Sequence, residues 1–234
     1  MTPRYKYMAL SIAQSLIEYL LAKGEASIDE LSKVIRATRE VILSAVSRLP
    51  GVVLDEPFLR VSNKLLLASH GVMAGLPLAR ISRYVNWRDF EKLSALVLSG
   101  HGYVTATNLS ITKPKRLEVD VVGVDPGSGR SLIIDCKHWS HSTSPSRLFE
   151  AAERHLERAI QLLKHRDLLK SAMPSITGVK QAYPVIVTLT TPAVRTYGGC
   201  VIVLSIGEFN NFLADFHEAV EFLEVRPIDV SSLT

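Results

Sequence analysis

Apolar residues recur at helical spacing through the first fifty positions. From Tyr5 to Leu21, Ile12, Leu16 and Leu20 fall on one face, which predicts a helix ended by Gly24. Ser27-Ile28-Asp29-Glu30 has the form of a capping box and predicts a second helix reaching Ile35. Thr38 is placed to cap a third, Arg39 to Leu49, with Val41, Ile42, Ala45, Val46 and Leu49 apolar. Pro50-Gly51 stops it. Two short β-like runs, Val52 to Leu54 and Phe58 to Val61, flank Asp55-Glu56-Pro57. Residues 62–85 read as helical but interrupted, because Gly71, Gly75 and Pro77 break the pattern.

From Asn86 onward helical and β patterns alternate. Asn86 is placed to cap a helix, Trp87 to Ser99, whose stripe is Phe90, Leu93 and Val97. Gly100-His101-Gly102 closes it, and a strand begins at Tyr103 and runs to Leu109. Leu117 to Trp139 reads as two strands around the turn Asp125-Pro126-Gly127-Ser128-Gly129. A long helix is expected from Pro145 to Lys170, with Leu148, Ala152, Leu156, Ala159 and Leu163 inward. Tyr183 to Leu189 and Cys200 to Ile206 are nearly uncharged and predict buried strands. Gly207 to Phe222 is a closing helix. The expected organisation is a helical unit over residues 1–62, a connector over 63–85 and an α/β domain over 86–234.

Composition narrows the class. The chain has 234 residues and is 47% hydrophobic, enough for one or two cores. No apolar run approaches the roughly 18 residues of a membrane span, and no signal-peptide pattern is evident, so a cytoplasmic protein is expected. Cys136 and Cys200 both lie in apolar strands and read as buried free thiols. No Cys/His spacing suggests zinc. The net charge of +4 is uneven: residues 1–85 hold 11 Lys/Arg and 7 Asp/Glu, residues 86–207 hold 15 and 10, and residues 208–234 hold 1 and 6. The basic parts suit a phosphate-backbone partner, and the tail is acidic.

The candidate chemistry sits in the hairpin. Folding it about Gly127 and Ser128 places Val124 opposite Ser131, Asp120 opposite Asp135 and Glu118 opposite Lys137. Opposed residues share a face, so three carboxylates and a lysine gather in one patch. Two acids across a hairpin repel. A hard divalent cation removes that objection, and the lysine is suited to orienting water and offsetting phosphate charge. The bland alternative is a pair of ordinary strand-end acids. Glu91 lies on a small, apolar helix flank near Ala95 and Leu98. It reads as a metal ligand, an anchor for a basic residue or a helix-start acid. Lys113, Lys115 and Arg116 form a basic turn suited to phosphates or to solvent. His138 alternates away from Lys137, while His141, Arg195 and Tyr197 are within reach of a substrate.

Asp120 followed by Asp135-Cys136-Lys137 resembles the PD-(D/E)xK nuclease superfamily. With Glu91 and Gly102-Tyr103, the stretch from Trp87 to Trp139 is similar to the Mrr-like restriction endonuclease group. Val119 stands where the superfamily name puts Pro, and the second acid is Asp rather than Glu. The resemblance implies a restriction-endonuclease-like α-β-β-β-α-β core over residues 86–222. It implies that Glu91, Asp120, Asp135 and the Cys136 carbonyl hold Mg²⁺, with Mn²⁺ as a substitute, and that Lys137 positions the attacking water. It also implies a homodimer acting on double-stranded DNA.

Residues 5–62 resemble a winged helix-turn-helix, in which the third helix enters a DNA groove. Thr38, Arg39, Ser44, Ser47 and Arg48 would be its exposed side chains, with Arg60 on the wing. The alternative is a winged helix that binds protein or packs on its neighbour. The expected activity is a metal-dependent endodeoxyribonuclease. The alternatives are a catalytically inactive DNA-binding regulator or scaffold, and a nuclease for branched DNA, single strands or RNA.

Overall fold

A computed structural model describes residues 3–84, 87–114, 116–137, 143–188 and 191–233. The predicted cap Asn86, together with Lys115, His138, Trp139 and His141, lies outside the described residues. The chain divides into two compact units, Met1–Asp89 and Phe90–Thr234.

The first unit follows the helical periodicity closely. Helix α1 spans Pro3–Lys23, strand β1 Glu25–Ser27, α2 Ile28–Ile35 and α3 Arg39–Val46. Then come β2 Val52–Asp55, β3 Phe58–Val61, α4 Lys64–Met73 and the short α5 Leu78–Ile81. Ser27 caps α2 by accepting the Glu30 N–H at 3.1 Å. The Glu30 carboxylate takes the Tyr19 hydroxyl. The strand β1, which the apolar pattern does not announce, adds to β3 opposite β2 and makes a three-stranded sheet.

Leu16, Ile17, Leu20 and Leu21 of α1 are buried with Leu31, Ile42, Val46, Leu59, Leu67 and Val72. Val41, expected in this core, is exposed, because α3 turns only Ile42 and Val46 fully inward. Gly71 does not break its helix. It lies inside α4, where a Cβ would sit 3.0 Å from Ile17, 3.2 Å from Leu76 and 3.3 Å from Ile81. The missing side chain lets α4 pack tightly on α1.

The second unit is a sheet between helical layers. Its elements are α6 Trp87–Gly100, β4 Val104–Ile111, β5 Leu117–Asp125, β6 Arg130–Lys137, α7 Pro145–Lys164 and β7 Gln181–Thr188. They are followed by β8 Thr196–Tyr197, β9 Val201–Ser205, α8 Ile206–Ala214, α9 Phe216–Phe222 and β10 Ile228–Asp229. The sheet order is β4-β5-β6-β7-β9-β8, with β10 joining β7. β6, β7 and β9 are parallel, and β4-β5-β6 is an antiparallel meander. The helix expected to reach Lys170 ends at Lys164, where the chain tightens into a 3₁₀ turn, Arg166–Leu169. The closing helix is divided at Asp215.

One sheet face packs on α7, where Val122, Val124 and Ile133 meet Ala159, Leu162 and Leu163. The other face packs on α6, whose Leu98 touches Gly123 and whose Ser94 meets Cys136, and on α9 through a Tyr183–Phe216 edge contact. Because β5 runs against β6, the start of β5 and the end of β6 lie at the same edge of the sheet. Asp120 opens near that edge, and Asp135 and Lys137 close at it.

Gly71→Leu should lower the unfolding free energy of the first unit by roughly 1–3 kcal/mol through overpacking. It should do so even though leucine is the better helix former by somewhat under about 1 kcal/mol. Urea unfolding followed by amide exchange in α4 measures this, and an unchanged or raised stability would refute the packing role.

Candidate active site

Asp135 is the most deeply placed charge of the site. Its side chain is 3% exposed. Two cations bracket it: Lys137 Nζ lies 2.7 Å from Oδ2 and Arg158 Nη2 lies 2.8 Å from Oδ1. Lys137 is on the same strand face two residues on, and Arg158 comes from α7. Burial pushes the Asp135 proton affinity up, yet the balance holds it below the usual carboxylate range. The lowering comes first from His155, which is cationic in the acid range where Asp135 titrates, and then from Lys137 and Arg158.

His155 is fully buried one helical turn before Arg158. Its Nε2 donates to the Ile133 carbonyl at 2.9 Å, since a carbonyl can only accept. Burial lowers its pKa to about 4. Neither His155 nor Arg158 was singled out from the sequence. Both sit on a helix rich in charge, where an inward arginine is indistinguishable from its solvated neighbours. The only available signal was the spacing of His155 with the inward Ala152 and Ala159.

The hairpin pairs as expected, with Val124 opposite Ser131 and Val121 opposite Ile134. The ladder stops there. Asp120 instead accepts the Cys136 N–H at 2.7 Å through Oδ2. The single shared face drawn from strict alternation is corrected at this end. Asn108, on the partner strand, has φ +53°. Ala106 before it packs with the α7-side core, whereas the Asn108 side chain bonds Glu91 of α6. Leu117 and Val119 then join the same core as Val122 and Val124. The reversal brings Asp120 into the field of Glu91.

Burial raises the proton affinity of Asp120, and the Asp135 carboxylate adds to it against the bond from Cys136 N–H. Burial also raises that of Glu91, with the Asp120 charge next. These acids therefore feel each other's charge. That donor set fits a hard divalent cation, which prefers carboxylate oxygens. Among the described residues, no three His, Cys, Asp or Glu side chains are drawn into a cluster able to hold a metal ion. The Cys136 thiol is buried, and burial keeps it protonated well above its usual range.

Other sequence candidates fall elsewhere. Tyr103 lies by Arg130, whose guanidinium stacks on Phe216 at 4.1 Å and on Tyr103 at 5.5 Å. Arg130 opens β6, about 23 Å of strand rise from Lys137. Arg195 is doubly paired with Glu208, and Tyr197 packs on Phe149. Lys113 and Arg116 are exposed. A groove of about 370 Å³ is lined by Lys137, Ala151, Arg154, Glu157 and Arg158. A second, of about 610 Å³, runs past Arg116, Glu118, Arg158, Gln161 and His165.

In the first unit Thr38, Arg39, Ser44, Ser47, Arg48 and Arg60 are all exposed. Arg60 is paired with Glu25 and with Asp55, the latter at 2.9 Å, and Arg39 with Glu56 at 3.4 Å. Ser47 donates to the Ser44 carbonyl at 3.0 Å. Among the described residues no helix is long and apolar enough to cross a membrane.

Residues 82–169 match the family model Mrr_cat, restriction endonuclease. This is the group that the sequence motifs resemble. An uncharacterized protein of Archaeoglobus fulgidus is 29% identical over 135 residues, 57% of this chain and 93% of that protein. Among solved structures, protein VC1899 from Vibrio cholerae aligns over 96% of this chain at 13% identity and a TM-score of 0.34. The restriction endonuclease FokI aligns over 89% at 14% identity and a TM-score of 0.35. The chain spans 58% and 45% of the lengths of those two solved chains.

The neutral His155 makes stability depend on pH. Below its ordinary pKa of 6.5 the unfolded chain takes up a proton that the fold refuses until about pH 4. Stability from this group is therefore full above about pH 6.5 and declines towards pH 4. At ~1.4 kcal/mol per decade of affinity the ceiling is roughly 3 kcal/mol. Glu91 and Asp120, with raised affinities, act in the opposite sense. Urea titrations of wild type and His155→Gln isolate the imidazole: the variant should show the shallower loss between pH 7 and 4, and equal slopes would contradict a neutral buried imidazole.

Proposed function

We propose that this chain, which carries a restriction-endonuclease-like nuclease domain of the Mrr-like group over residues 82–169, is a Mg²⁺-dependent endodeoxyribonuclease. The observation that carries the reading is the meeting of Asp120, Asp135 and Lys137 at one edge of the sheet, inside the matched segment, beside an open groove.

In this reading Glu91, Asp120, Asp135 and the Cys136 carbonyl hold the cation. When bound, the metal supplies Lewis-acid stabilisation of charge on the phosphate and lowers the proton affinity of water. The chain's own residues do the rest. Asp135, desolvated and ionised, fixes the Lys137 ammonium at 2.7 Å. Lys137, 28% exposed against 3% for Asp135, presents that charge to the groove. There it orients water for attack on phosphorus and offsets the charge that builds as the 3′-oxygen leaves. Asp120, tied to the Cys136 N–H, holds the two strand ends together so that these groups keep their spacing.

The first unit supports a DNA-binding role. Its order of helix, strand, two helices and a β-hairpin resembles a winged helix and supports that reading. Arg39 and Ser44 lie on the exposed side of α3, with Thr38 at its N-cap and Ser47 and Arg48 in the turn that ends it at Val46, short of the expected Leu49; Arg60 lies on the hairpin, and Lys113 and Arg116 add basic contacts in the nuclease unit. Double-stranded DNA is the substrate in this reading, the protein acts as a homodimer because paired cuts need two sites, and a cytoplasmic location follows from its partner.

Lys137→Ala should lower DNA cleavage by about 10²–10³-fold, the scale for loss of a single preorganised donor, while gel-shift affinity for duplex stays within a few-fold of wild type. Cutting at the wild-type rate by this variant would overturn the assignment.

A further inference from the structure

Arg158 differs from the other cations of α7. Arg154, four residues earlier, pairs with Glu150 on the helix surface at 3.0 Å. Arg158 instead turns towards the sheet and meets the buried Asp135 at 2.8 Å. A guanidinium has five N–H donors in a fixed planar fork. One nitrogen serves Asp135. The Nε is buried and has no hydrogen-bond partner among the described residues. The side chain is nevertheless 35% exposed, and Arg158 lines both grooves together with Glu157.

Charge along this track is mixed. Arg116, Lys137, Arg154, Arg158 and His165 line it with Glu118 and Glu157. The acids leave Arg158 as the cation at the junction of the two grooves, next to the carboxylate that the nuclease reading places at the reaction centre. A planar donor fork held on one side by a carboxylate is the arrangement that grips a phosphate on the other, because its geometry matches two oxygens at once.

We propose that Arg158 is a positioning and phosphate-binding residue: it fixes the Asp135 carboxylate through one edge of its guanidinium and takes non-bridging oxygens of a nucleic-acid backbone phosphate through the other. This rests on the nuclease reading above. The cleaved strand then runs along α7, with Arg158 at the point where it reaches Lys137. Lysine at position 158 keeps the charge but not the fork, so it binds the phosphate and holds Asp135 poorly.

The test uses the full chain in a Lys137→Ala background with Mg²⁺, so that duplex is bound without being cut. Binding of a fluorescein-labelled duplex is followed by anisotropy across a salt series. Adding Arg158→Ala should weaken binding about ten-fold and flatten the plot of log affinity against log salt by about one, the value for one lost phosphate contact. Arg158→Lys should restore the slope. In the otherwise wild-type chain, Arg158→Lys should still lower the single-turnover cleavage rate by at least about ten-fold. A folded Arg158→Ala protein, checked by circular dichroism, with the parent's salt slope would overturn the phosphate role and leave the nuclease reading standing. If Arg158→Ala fails to fold, Arg158→Gln, a neutral polar replacement, decides in its place. Absence of cutting by the wild-type chain with Mg²⁺ would instead overturn the nuclease reading itself.

Discussion

The site depends on one buried carboxylate that cannot stand alone. Asp135 is almost wholly out of water, and an unpaired charge there would cost several kcal/mol. It is kept by Lys137 from its own strand and by Arg158 from the crossover helix. Removing either partner leaves the other contact to carry the whole burden. The hydrophobic layers around it, Ile133 and Ile186 on its face and Cys136 on the opposite one, set that burden by excluding solvent.

The connectivity makes this possible. β6 and β7 are parallel, so the chain must cross over between them, and α7 is that crossover. Its inward stripe, Leu148, Ala152 and Ala159, fixes the helix on the sheet. His155 and Arg158 then arrive opposite Ile133 and Asp135. His155 ties the helix to the strand backbone, one turn before Arg158 reaches the carboxylate. The other side of the site comes from a break in regularity. Asn108 adopts a left-handed conformation, exchanges a core-facing direction for a bond to Glu91, and so couples α6 to the start of β5. A strictly alternating β4 would leave Glu91 and Asp120 in separate environments.

Much of this was legible in the chain. Alternating Val, Ile and Leu around Asp125-Pro126-Gly127 was enough to predict the hairpin and its pairing, because a tight turn fixes which residues face each other. The main helix and strand order of the second unit followed from apolar runs and the turn residues between them, though not the two-residue strands β8 and β10 or the division of the closing helix, and the Asp and Lys motif pointed to the family that residues 82–169 match. The rest depended on facts that no local pattern carries. β1 is three residues long and exists only because β3 offers it an edge. Gly71 reads as a breaker in sequence and becomes a packing position only once Ile17 lies across it. Arg158 is one basic residue among several on its helix, and only the tertiary approach to Asp135 distinguishes it. Strict alternation gave the wrong face for Asp120, since the one signal of a positive φ is Asn108 itself, a residue type that tolerates left-handed backbone but adopts it only in some contexts.

Metal-dependent cleavage is proposed for the edge of the sheet where Asp120, Asp135 and Lys137 meet. The decisive experiment incubates supercoiled plasmid with the wild-type chain, with Mg²⁺ or with a chelator, beside a folded Asp120→Asn variant. Nicked or linear plasmid is expected only from wild type with Mg²⁺. Intact plasmid from wild type under both conditions, or equal cutting by the variant, would contradict it.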